Sequence, residues 1–138
     1  MARLTLLLVG LLSASWAQAE GLAVIANPQV PVNNITVEEL TLVYLIQKNS
    51  WPNGIVIVPV NREASSATRV FFSEQLFNRS PSDMSDYWNR LRFTGKFPPL
   101  VQTSDQAVLG FVRSVPGAIG YIDADQAATG VKILLKLE

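Results

Sequence analysis

Apolar and polar positions fall along this chain in blocks of two kinds. Short, nearly continuous apolar runs occur at 22–26 (Leu-Ala-Val-Ile-Ala), 55–60 (Ile-Val-Ile-Val-Pro-Val), 118–122 (Ala-Ile-Gly-Tyr-Ile) and 131–137 (Val-Lys-Ile-Leu-Leu-Lys-Leu). Their length and branched side chains predict strands. Between them, apolar residues recur at three- and four-residue spacing, which predicts helices. Thr36 and Glu39 have the form of a capping box and open a helix with Leu40, Val43, Tyr44 and Gln47 on one face, expected to end near Lys48. The run Arg69 to Phe77 carries Val70, Phe71, Leu76 and Phe77 as an apolar stripe. A third helix is expected from Ser82 or Asp83 through Tyr87, Trp88 and Leu91. A fourth, capped by Thr103 or Ser104, has Ala107, Val108, Phe111 and Val112, with Asp105 at its favourable end. The stretch 49–54 is dense in turn residues, and Asn53-Gly54 suits positive φ. Residues 93–99, with Gly95 and Pro98-Pro99, read as a loop, and 123–128 as a single helical turn. Gly120 is expected to admit the close approach of a neighbouring backbone. Phe71, Phe72, Tyr87 and Trp88 read as packing, because aromatics at this spacing serve a core more often than a ligand.

Strands alternating with helices, several strands apolar on both faces, predict an α/β fold: a sheet covered on both sides, a three-layer sandwich. Ligands in such sheets bind at the carboxyl ends of strands. The stretch 61–68 (Asn-Arg-Glu-Ala-Ser-Ser-Ala-Thr) occupies such an end, between the run 55–60 and the helix that follows. A helix begins with backbone N–H groups that lack partners, and this end attracts anions. Arg62 offers a forked cation just before it, and Ser65, Ser66 and Thr68 add hydroxyls that can address the same oxygens. Two readings follow. The turn binds an oxyanion, or Ser65 or Ser66 merely caps the helix and Arg62 is a surface charge.

Composition narrows the chemistry. The chain has no histidine and no cysteine, which removes zinc sites of the usual kind, histidine-based triads, thiol chemistry and disulfides. Asp83 with Asp86 and Asp123 with Asp125 are paired carboxylates, but their Ser, Asn and Gln neighbours suggest caps and solvated turns, so no catalytic residue is assigned. Arg3, an apolar run at 4–12 and Ala17-Gln18-Ala19 have the form of a cleavable leader. The expectation is therefore a signal peptide at 1–19, cleavage after Ala19, and a single exported domain at 20–138, periplasmic in a source that has a periplasm. No other apolar run approaches the roughly 20 residues of a membrane helix. With equal numbers of basic and acidic residues, no net field directs the domain to nucleic acid or anionic lipid. Arg90, Arg92 and Lys96 are a local exception, read as a solvated helix end.

Several segments resemble the periplasmic phosphate-binding proteins of ABC transporters. Thr36-Val37-Glu38-Glu39-Leu40 with Tyr44 and Trp51 resembles that family's helix and following tryptophan. Arg62-Glu63-Ala64-Ser65-Ser66-Ala67-Thr68 resembles its phosphate loop, and Ser104 to Val108 through Val115-Pro-Gly-Ala-Ile-Gly-Tyr121 its late helix and strand. The resemblance implies one lobe of a type 2 periplasmic-binding-protein fold and a site for inorganic phosphate or a similar oxyanion. Arg62 would pair with the anion, Ser66 and Thr68 would donate hydroxyls, and the N–H groups of Ala67 and Thr68 would cradle it, with Ser65 beside them. Ala64 stands where the family has an Asp that accepts the proton of phosphate, so selectivity over sulfate is expected to be lost. Ala67 replaces a glycine. Family members close two lobes around the anion, and this chain resembles about one. It is therefore expected to bind weakly and without cofactor or metal, unless a protein partner or a second copy completes the cleft. The alternative is a non-catalytic structural or interaction module that reuses the fold and has lost the ligand.

Overall fold

The computed structural model describes residues 21–138, so the leader read at 1–19 lies outside the described residues. Five strands are observed: β1 (Leu22–Ala26), β2 (Val58–Arg62), β3 (Leu100–Gln102), β4 (Ala118–Asp123) and β5 (Lys132–Leu137). Four α-helices connect them: α1 (Val37–Tyr44), α2 (Ala67–Phe77), α3 (Ser85–Phe93), which a 3₁₀ turn precedes at Ser82–Met84, and α4 (Asp105–Ser114). The strands form one open sheet in the order β3-β2-β4-β1-β5. β2 runs parallel to β3 and β4, while β1 is antiparallel to β4 and β5.

Alternation along the central strands divides the core in two. Leu22, Val24 and Ala26 of β1 and Ile119 and Tyr121 of β4 join Leu40, Val43 and Tyr44 of α1 and Phe72 and Leu76 of α2. Ala23, Ile25, Ala118 and Ile122 face the other way, with Val108 and Val112 of α4. The expected sandwich is therefore observed, with α1 and α2 on one face and α4 on the other. Buried Asn27 ties the layers at one end: its side-chain amide donates to the carbonyls of Val112 and Arg113, two of the acceptors left open at the end of α4.

Several boundaries differ from expectation. α1 stops at Tyr44 rather than near Lys48, because Ile46 turns into the left-handed region at φ 60° and Gln47 and Lys48 both donate back to the Leu42 carbonyl. Gln47 is consequently exposed instead of on the apolar face. The second strand begins at Val58, not Ile55. The preceding residues form a tight loop in which Trp51 N–H donates to the Ile55 carbonyl, and the buried Trp51 indole donates to Gly117. That strand then continues through Asn61 and Arg62, so the turn begins only after them. β3 was not expected. It is only three residues long and follows two prolines, so no periodicity marks it. Residues 123–128 form a hydrogen-bonded turn from Asp123 to Gln126 and no helix.

Gly120 meets side chains rather than a backbone. A Cβ placed on it would lie 2.8 Å from a Val108 methyl and 3.2 Å from one of Val112. Its absence lets α4 settle on the sheet. Gly120→Ala is therefore expected to destabilise the domain by about 1–3 kcal/mol through overpacking, seen as a lower urea midpoint with an unchanged slope.

Candidate functional site

The candidate turn is built from the carboxyl end of β2 and the start of α2. Arg62 pairs with Gln102 in the parallel ladder, and its N–H donates to the Tyr121 hydroxyl at 3.2 Å. The chain then turns at Glu63-Ala64-Ser65, closed by the Ser66 N–H on the Glu63 carbonyl at 3.0 Å. Ser66 is the N-cap of α2, with extended backbone, and its Oγ accepts from Arg69 N–H. Its carbonyl accepts from Val70 at 3.0 Å. Ser66 is 9% exposed, so its hydroxyl belongs to the cap. Ser65 and Ala67 are exposed and Thr68 is half-buried. The N–H groups of Ala67 and Thr68 precede the first intrahelical donor, and neither has a protein acceptor among the described residues. Two adjacent donors at the positive end of an 11-residue helix can bind an anion.

Arg62 is not a free cation. Its Nε–H and one Nη2–H donate to the two carboxylate oxygens of Glu63 at 3.1 and 3.0 Å, and an Nη1–H donates to Asp105 Oδ1. Three of its five N–H donors are thereby used, leaving one on each terminal nitrogen. The Arg62 and Asp105 side chains are only 14% and 15% exposed. The hydrogen bond to Glu63 raises the pKa of Arg62, and the same bond lowers that of Glu63 below the usual glutamate range. Asp105 Oδ2 also accepts from the Asp123 N–H at 3.4 Å. A hydrogen bond with Asp125 raises the Asp123 pKa, with burial adding to it. Arg69 reaches back over the turn, its Nη1 donating to the Arg62 carbonyl at 3.0 Å.

Four residues here had no role in the sequence reading. The local pattern marks Asp105 only as a favourable charge in its own helix. Without β3, nothing placed the start of α4 beside the end of β2. Glu63 was in plain view next to Arg62, and adjacent opposite charges at a strand end were the available signal. Arg69 and Tyr121 carried none, since their contacts arise from the packing of α2 and β4 against the end of β2. Among the described residues no group of three or more carboxylates, histidines or cysteines is arranged to hold a metal ion.

No family model matches the chain. Its backbone is similar to that of an ABC-type phosphate transport receptor from Vibrio cholerae, with TM-score 0.65 and 26% identity over 83% of this chain and 45% of that one. It is also similar to a putative phosphate ABC transporter substrate-binding protein with bound phosphate from Clostridium perfringens, with TM-score 0.68 and 21% identity over 83% and 44% of the two chains. A third match is PstS from Borrelia burgdorferi, at TM-score 0.58, 23% identity, 83% and 46%. The fold is thus one lobe of a periplasmic-binding-protein fold, and the chain spans less than half the length of these solved structures.

Two outcomes test the local account. Ser66→Ala should lower stability by about 0.5–2 kcal/mol in urea unfolding through loss of the cap. Because the Glu63 pKa is lower in the folded than in the unfolded chain, its ion pair stabilises above the ordinary glutamate pKa of about 4.3 and is lost as pH falls through the folded value. Stability should therefore fall more steeply below about pH 4.3 in the parent than in Glu63→Gln, as followed by thermal melts across pH.

Proposed function

We propose that this chain is an exported, solute-binding-protein-like domain that holds inorganic phosphate or a similar oxyanion, weakly, at the turn from Arg62 to Thr68. The observation that carries the reading is the pair of N–H donors on Ala67 and Thr68, without protein acceptors, at the start of α2 and the carboxyl end of β2. Bound phosphate in the similar Clostridium perfringens structure supports the choice of ligand. Thr68 would add its hydroxyl and Ser65 a peripheral one, while Ser66 holds the helix start in place. Arg62 would contribute through the N–H groups that Glu63 and Asp105 leave unused. The similar proteins are transport binding proteins, which supports a non-enzymatic role in the periplasm, with or without a transporter.

Energetics limit the affinity. Hydrogen bonds involving a charged group are worth about 1.5–3 kcal/mol each. Four or five of them on an open surface must offset an association cost of about 4–15 kcal/mol. An isolated lobe should then bind with a dissociation constant of about 0.1–10 mM. The two carboxylates on Arg62 push toward the weak end, and Ala64 offers no acceptor for the proton of phosphate, so sulfate should do about as well.

The closed ion pairs of Arg62 favour a second reading, a structural or interaction module in which the turn survives only as a helix cap. Titration calorimetry on residues 20–138 with phosphate and with sulfate, against chloride, separates the two. Saturable heat for both anions that weakens in Arg62→Ala and Thr68→Ala supports oxyanion binding. Asp105→Asn should then tighten binding by about tenfold, roughly the 1.4 kcal/mol of one charge-assisted contact returned to the ligand. No heat up to several tens of millimolar, above the weak end of that range, overturns binding by this chain.

A further inference from the structure

The basic residues Arg90, Arg92 and Lys96 are not just an ordinary helix end, because they accompany two exposed aromatic rings on a hydrogen-bonded turn. α3 finishes in a fully bonded turn. Gly95 N–H donates to the Arg92 carbonyl at 3.0 Å, Lys96 N–H to Leu91 at 3.3 Å, and the Thr94 hydroxyl to Leu91 at 2.6 Å. Gly95 takes the positive φ of 81° that this closure requires. The motif is commonly sealed by an apolar contact across it, but Lys96 occupies that place and the aromatic side chains on either side point outward. Phe93 is 92% exposed and Phe97 75%. Leu100 and Val101 on the adjacent edge strand β3 are also exposed, one on each face of that strand, and four of the seven exposed large hydrophobic residues among the described residues fall within 93–101. Phe93 and Phe97, on either side of one closed turn, are the two most exposed of these residues.

The charges on the same segment are all of one sign. Residues 87–104 contain Arg90, Arg92 and Lys96 and no carboxylate. None of the three cations takes part in an ion pair among the described residues. Each exposed phenylalanine directly follows a cation, Arg92-Phe93 and Lys96-Phe97.

We propose that this tip is a docking surface for an anionic lipid bilayer, with Phe93 and Phe97 entering the boundary between headgroups and acyl chains and Arg90, Arg92 and Lys96 held at the level of the lipid phosphates. The charge matches, and a cation beside each ring can stay at the phosphates while the ring goes deeper. The apolar groups sit on a hydrogen-bonded turn at a helix end, which suits insertion into a fluid surface. Because the turn is already ordered, docking does not need to freeze a loop. This contact is peripheral and reversible, and it is independent of the anion turn at Ser66.

Vesicle co-sedimentation of residues 20–138 tests it, since this span carries every described element and both core clusters and omits the apolar run at 4–12. Vesicles of phosphatidylglycerol with phosphatidylcholine are compared with pure phosphatidylcholine at low and high salt. The expected result is binding to the anionic vesicles only, weakened by salt. Phe93→Ser with Phe97→Ser should reduce partitioning by about tenfold or more, the least that withdrawing one fully buried ring implies. Arg90→Gln with Arg92→Gln and Lys96→Gln should remove the salt dependence. These surface variants should melt like the parent. Absence of sedimentation at low salt, or parent-like sedimentation of both variants, overturns the proposal. Binding of soluble polyglutamate without binding of vesicles also overturns it, and gives the tip to an acidic protein instead.

Discussion

Tyr121 joins the core to the candidate site. Its ring stacks on Phe72 of α2 with centroids 3.9 Å apart. Its hydroxyl donates to Asn61 Oδ1 at 2.7 Å and accepts from the Arg62 N–H. Tyr44 does similar work one layer down, donating to the carbonyls of Val60 and Ile119. The ladder between β2 and β4 ends at Pro59 and Ile119, so these two phenols hold the strands together where backbone pairing has stopped. Burial raises both phenol pKa values, and they remain neutral donors over the whole physiological range. The end of β2 is thereby fixed to β4 through buried, satisfied polar groups, which would be costly to leave unpaired, while the stack of Phe72 on Tyr121 seats α2 on the same strand.

On that fixed frame, the electrostatics of the turn are a contest for Arg62. In water a carboxylate pair with arginine is worth little, but Arg62 and Asp105 are mostly covered, so their attraction is less screened. A ligand anion must share the guanidinium with Glu63 and Asp105 or displace one of them. The helix start has no such competitor, because the Ser66 hydroxyl satisfies Arg69 and leaves Ala67 and Thr68 open. In the proposed site, affinity would therefore rest on backbone donors more than on the conspicuous arginine.

Much of the fold could be read from the sequence, because burial on two faces writes itself into strands such as Leu22 to Ala26 and because Thr36, Ser66 and Ser104 are strong caps, each observed in that role. The resemblance in motifs at Thr36, Arg62 and Ser104 pointed to the same lobe that backbone similarity supports. What escaped was tertiary in origin. β3 exists because its three residues complete a parallel ladder with β2, not because of local preference. The end of α1 is set by a left-handed Ile46 that propensity disfavours. The pairing of Arg62 with Asp105 spans 43 residues and depends on that unseen strand. The exposed Phe93 and Phe97 lay inside a stretch read only as the end of a helix and a loop.

The central claim is that the start of α2 is an anion site. The most direct measurement is an amide ¹⁵N–¹H NMR titration of residues 20–138 with phosphate at constant ionic strength. Saturable shifts largest at Ala67 and Thr68, which persist at higher phosphate concentration in Thr68→Ala because that variant loses a hydroxyl and keeps both N–H donors, are the expected result. Unmoved Ala67 and Thr68 amides, or shifts centred elsewhere, would contradict the claim and leave Ser66 as a helix cap only.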